Sequence, residues 1–151
     1  MRNALRRVLR RASPIDRLWH VWLAAGVGVW LCTLPVRLRI RSLSAVLDGG
    51  RRPIGRTRLT SAQEMDRVVR AVRHVCRLRL FASRWFPRLC LREALALHRV
   101  LRHMGCPARF HLGVHTRGGR FAAHGWVTVH GKPVVPFSGD DCVRTIYSHP
   151  A

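Results

Sequence analysis

The chain has 151 residues, 48% of them hydrophobic, and 28 Lys+Arg against 7 Asp+Glu give it a formal charge of +21. That is the size of one globular domain, with or without an N-terminal appendage, and the apolar content excludes a wholly disordered chain. Five cysteines with no CxxC pair exclude a four-thiolate zinc ribbon, argue against a secreted disulfide scaffold, and read as reduced thiols in a cytoplasmic protein.

No P-loop, GxGxxG, HExxH or EF-hand pattern is present, so neither a cofactor nor a metal is expected. A charge of +21 attracts polyanions: nucleic acid, acidic peptides or anionic lipid. The basic residues are nearly all arginine, Lys132 being the only lysine, and they are scattered from Arg2 to Arg144. No basic stretch interleaves with aromatics as a base-stacking platform requires. Most of the charge reads as solvated surface, and nucleic-acid or membrane-surface binding is kept as an alternative.

In chain order, MRNALRRVLRRA is a short basic amphipathic helix or a frayed end. Ser13, Pro14 and Asp16 mark a helix start, with Ser13 as N-cap. The apolar run from Leu18 to Val36 stops near Leu34-Pro35, and its uncharged part, Val21 to Leu34, is fourteen residues. A bilayer span needs about twenty. PVRLRIR follows in place of a small-residue cleavage site, which disfavours a signal peptide. A helix buried against the domain, or lying at a membrane surface, fits better than a spanning segment, and the buried helix is preferred. Residues 37–60 are basic and turn-rich and read as a linker. The chain thus divides into a basic N-terminal region over 1–60 and a core over 61–151.

Ser61 and Glu64 form a capping box. It opens a helix with Met65, Val68, Val72 and Val75 on one stripe. Leu78 to Pro87 is irregular. A second helix starts at Leu89 with Ala94, Leu97, Leu101 and Met104 on its apolar face, Arg92, Arg99 and Arg102 off it, and Gly105 as its stop. The period then switches to two: Phe110, Leu112 and Val114 alternate with polar residues in a first strand. Gly118-Gly119 is a turn, Phe121 to Val129 a second strand, His130-Gly131 a tight hairpin turn, and Lys132 to Val135 a third strand. The class is α+β, with one helix packed on a small antiparallel sheet and preceded by N-terminal helices.

Cys90 falls in the first turn of that helix, where free N–H groups and the positive end of the helix dipole favour a sulfur anion and can line an oxyanion hole. His124 lies mid-strand in AAHGWV and shares a face with Trp126 by the two-residue period. If the helix covers that face, imidazole and thiol meet, as in papain-like nucleophile–base pairs. Cys32 and Cys76 read as small core residues. Cys106 and Cys142 have no defensible histidine partner. His98 and His103 are five apart, on different helix faces, which argues against a metal site there. Trp126 reads as a wall of the site or a core residue, and His111 and His115 as facing solvent or a substrate groove.

The segments CLREALALHRVLRHMG, ARFHLGV and FAAHGWVTVHGKPV, with MDRVVRAV upstream, resemble the transglutaminase-like cysteine proteases of lasso-peptide maturation. These are the B proteins, kin to the C-terminal domain of the microcin-processing protease. The resemblance implies a papain/transglutaminase-like core and an endopeptidase that removes the leader from a ribosomally made precursor, with Cys90 as nucleophile and His124 as base. It further implies two partners: a small leader-recognition protein, and an ATP-dependent macrolactam synthetase that closes the freed core. An inactive member of the fold, serving as a binding component of that complex, is the alternative.

In that family an aspartate follows the histidine by about a dozen residues, and here that position is Pro136. Pairing around His130-Gly131 places Phe137 opposite His124. Asp140 and Asp141 lie three to four residues on, roughly 10 Å away along a straight strand at about 3.3 Å per residue. A bulge or bend at Ser138-Gly139 would be needed to bring Asp140 back. Asp140, Asp141, Ser138 or a backbone carbonyl are the candidates to orient His124.

Overall fold

The first described element, α1 (Pro14–Ile40), runs straight through the proline expected to end it. Pro35 removes one N–H, but the turn around it is braced by side chains. Thr33 Oγ1 donates to the Trp30 carbonyl at 2.9 Å, and Arg37 Nε donates to Thr33 Oγ1 at 3.0 Å. Leu34 is fully buried and Leu38 packs against the core on the far side of the proline, so burial continues across the break. The computed structural model describes residues 14–49, 61–81, 88–117, 120–136 and 144–150. The helix expected over the first twelve residues, and Ser13, lie outside them.

Where a linker is expected, a short helix α2 (Leu43–Asp48) stands, its Ser42 cap accepting from Ala45 N–H. Two residues, Val46 and Leu47, supply the burial that pays for ordering it, and the surrounding arginines and glycines hide that signal in the sequence. Val27, Trp30, Leu31 and Leu34 of α1 join these two in one core with residues of the C-terminal half. The boundary expected at residue 60 lies outside the described residues.

Helix α3 (Ala62–Cys76) opens with the capping box in full: Ser61 Oγ accepts from Glu64 N–H at 3.1 Å, and Glu64 accepts from Ser61 N–H at 3.3 Å. Val68, Val72 and Val75 are buried along its stripe. A single 3-10 turn (Arg79–Phe81) follows. Helix α4 (Leu89–His103) buries Ala94, Leu97 and Leu101 as its stripe predicts and ends with Gly105 at φ 78°, the left-handed stop a glycine permits. Arg92 departs from the expectation: it is 5% exposed, inside the molecule.

The sheet has order β3-β2-β1-β4, all antiparallel, from β1 (Ala108–Arg117), β2 (Arg120–Val129), β3 (Lys132–Pro133) and β4 (Arg144–His149). His130 and Gly131 both take positive φ, 50° and 76°, which gives the tight turn between β2 and β3. The strand expected over Lys132 to Val135 is shorter, pairing only at Thr128 and Val129. Strand β4 was not anticipated, because its partner β1 lies far away in sequence.

His98 of α4 is 1% exposed, and neither ring nitrogen has a hydrogen-bond partner. It lies edge-on to Phe110 and His149, at centroid distances of 6.3 and 5.9 Å, while His149 Nε2 stands 3.1 Å from Asp48 Oδ1. Desolvation above all, with His149 and Arg102 adding and Asp48 opposing, pushes its pKa from 6.5 down to about 3. The unfolded chain therefore binds a proton that the folded one refuses. Stability is complete above pH 6.5 and falls as pH drops towards 3, by up to about 1.4 kcal/mol per pH unit. Urea midpoints between pH 7.5 and 5 will fall in the wild type and fall less steeply in His98→Leu. Equal slopes would refute this.

Candidate active site

Cys90 is the second residue of α4. The N-cap is Arg88, with no side-chain cap hydrogen bond, and the first backbone bond of the helix runs from Arg92 N–H to the Arg88 carbonyl. The amides of Leu89, Cys90 and Leu91 precede it and have no acceptor within the helix. They are the free donors that the first turn was expected to supply. The thiol is half-buried and donates to the Ala123 carbonyl at 3.9 Å, so the sulfur rests on the residue just before His124.

The manner of that approach differs from the expectation. A Cβ built on Gly125 would stand 3.3 Å from Leu91 Cα and 3.4 Å from Ala94 Cβ, so α4 covers the Gly125 face of β2. By the pleat, His124 and Trp126 belong to the opposite face. The thiol instead meets the strand at its edge. Val127 accepts from Val134 N–H at 2.9 Å on the side of β2 away from β1. By the same two-residue period the Ala123 carbonyl points that way, towards the sulfur.

On the face away from α4, three rings stand in a row. His124 stacks with Trp126 at 6.2 Å and 20°, and Trp126 stacks with His111 at 5.2 Å and 15°. His111 Nε2 is 2.9 Å from Thr128 Oγ1. Desolvation first, and Arg109 second, lower the pKa of His111. The register His111↔Trp126 makes this row, and hairpin arithmetic on the sequence would have found it.

Pro136, standing where a carboxylate is expected, is exposed. Among the described residues, β3 pairs at Val129↔Lys132 and Thr128↔Pro133, and the bond from Val134 N–H to the Val127 carbonyl follows. Phe137, Ser138, Asp140 and Asp141 lie outside the described residues, as does Cys142. Cys76 is fully buried, its pKa raised to about 12 by desolvation first and Glu93 second. Burial also raises that of Cys106. Both remain neutral thiols. Cys32, expected in the core, is exposed on the outer side of α1, because the buried positions of that helix are Val27, Trp30, Leu31 and Leu34.

Gly125 sets how closely the nucleophile's helix approaches β2. Its missing side chain faces backbone at 3.3 Å, which cannot yield as a flexible side chain would. Gly125→Val will destabilise the fold by about 1–3 kcal/mol, with Gly125→Ala costing less. Urea unfolding checks it; unchanged midpoints in both variants would contradict the close packing.

The sequence profile of the transglutaminase-like superfamily matches residues 29–148. No curated protein and no solved structure matches the chain.

Proposed function

The chain belongs to the transglutaminase-like superfamily, and from this premise we propose that it is a cysteine endopeptidase of the cytoplasm that removes the leader from a lasso-peptide precursor before macrolactam formation. The observation that carries the reading is the half-buried Cys90 thiol, set in the uncapped first turn of α4 and 3.9 Å from the carbonyl that precedes His124. Its partners are the precursor's leader region, a leader-recognition protein and an ATP-dependent macrolactam synthetase.

In this mechanism the Cys90 thiol gives its proton to His124 and the sulfur attacks the scissile carbonyl carbon. The negative charge on the carbonyl oxygen is met by the first-turn amides of α4. The tetrahedral adduct collapses, the C–N bond breaks, and His124 returns the proton to the leaving amine, which is the N-terminus of the core peptide. Water, deprotonated by His124, then cleaves the thioester, releasing the leader as a carboxylate and restoring the thiol. The row of His124, Trp126 and His111 offers an aromatic shelf on the face of β2 away from α4.

A second reading has Pro136 as its support: with no carboxylate at that position, the fold serves as a binding component of the maturation complex. One assay separates the two. The purified protein is mixed with precursor and recognition protein, and leader release is followed by mass spectrometry. Cleavage by the wild type, lost in both Cys90→Ala and His124→Ala, supports the peptidase. Intact precursor with the wild type supports the binding role.

A further inference from the structure

Helix α1 has two apolar faces, and the core formed by the described residues uses one. Leu31 and Leu34 are fully buried, with Val27 and Trp30 beside them. On the other side Val21, Trp22, Val29, Val36 and Ile40 are each 58–74% exposed. At 100° per residue Trp22, Val29, Val36 and Ile40 fall on one line, and the exposed Ala25, Gly26, Cys32 and Thr33 lie within about 80° of it. The window Val21–Ile40 is 20 residues with a mean hydropathy of 1.6, yet only 22% of it is buried. At about 1.5 Å per residue the stripe is roughly 30 Å long.

Charge brackets it. Residues 1–47 carry nine arginines and a single carboxylate, Asp16. Six of the arginines precede Val21 in the sequence, and Arg37, Arg39 and Arg41 stand at the far end, the last two exposed. A second copy laid parallel on the stripe would bring Arg37, Arg39 and Arg41 against their own counterparts. A surface of anionic headgroups over an apolar interior matches both the stripe and its ends. The buried inner face keeps the helix from leaving the domain to cross a bilayer, because crossing would open the core.

We propose that α1 is an interfacial helix, lying flat on an anionic phospholipid surface. Trp22, Val29, Val36 and Ile40 enter the headgroup–acyl boundary and the flanking arginines face the phosphates. This does not depend on the peptidase reading.

The test uses the full chain with phosphatidylglycerol–phosphatidylcholine vesicles, with pure phosphatidylcholine for comparison. A charge of +21 alone draws the protein to anionic vesicles, so the deciding variant preserves charge. Val29→Gln/Val36→Gln will weaken partitioning into the anionic vesicles about tenfold or more, while its lipid-free melting temperature stays that of the wild type. Lipids brominated along the acyl chain will quench tryptophan emission in the wild type, and Trp22→Phe will remove most of that quenching. The proposal is overturned if the double variant binds as tightly as the wild type, if the wild type ignores phosphatidylglycerol, or if Trp22→Phe leaves the quenching intact. A lipid-free dimer that the double variant dissolves, detected by light scattering, would assign the stripe to a second copy instead.

Discussion

Cys90→Ala will abolish leader release, a loss of about 10⁴-fold or more in turnover, while the variant unfolds at the wild-type urea concentration. The size follows from the lack of a substitute among the described cysteines. Cys76 and Cys106 are held as neutral thiols by burial, and Cys32 sits exposed on α1. The sulfur is half-buried and its hydrogen bond to the Ala123 carbonyl is long, 3.9 Å, so its removal opens little cavity. Single-turnover kinetics with excess enzyme will show no burst of free leader. Residual cleavage within a factor of ten of the wild type would end the assignment of Cys90 as nucleophile.

Arg92→Leu will have the largest effect on stability, about 3 kcal/mol or more. The guanidinium is buried at 5% exposure and donates to the Cys76 carbonyl at 2.7 Å and to the Phe81 carbonyl. It thereby closes the C-terminal end of α3 and the 3-10 turn after it onto α4, two residues from Cys90. Removing it leaves two acceptors buried without a donor. Arg92→Lys will recover little, because one ammonium on a narrow stem does not reproduce a planar fork that serves two carbonyls. Urea midpoints measure the loss. The same variant will lower turnover by shifting the start of α4. A wild-type midpoint for Arg92→Leu would show that the pair of bonds contributes nothing net.

Much of this molecule was readable from local pattern. The capping box of α3, the stripe of α4, its glycine stop and the His130-Gly131 turn are all signals carried within a few residues, and each stands in the structure. What escaped depends on neighbours distant in sequence. Strand β4 exists because β1 offers it an edge. The burial of Arg92 depends on where α3 ends, since off-stripe arginines ordinarily face solvent. The face of β2 that α4 covers stayed open in the sequence, because alternation pairs His124 with Trp126 but cannot say which side meets a helix. Gly125 held the clue, a residue with no side chain on a face where an added Cβ would stand 3.3 Å from the helix backbone. The group that orients His124 was not legible: Pro136 interrupts the family pattern, and Asp140 and Asp141 follow glycine, whose bends leave no periodicity to extrapolate.

Helix α1 and the nucleophile's helix draw on one core, with Leu31 and Leu34 in the same cluster as Leu97 and Leu101. Loosening either one therefore strips buried contacts from the other. Whatever grips the outer face of α1 selects the folded state of that shared core by mass action. The thermal endurance of the chemistry at Cys90 is in this way set partly at a surface on another helix, and solution measurements on the isolated chain give its lower bound.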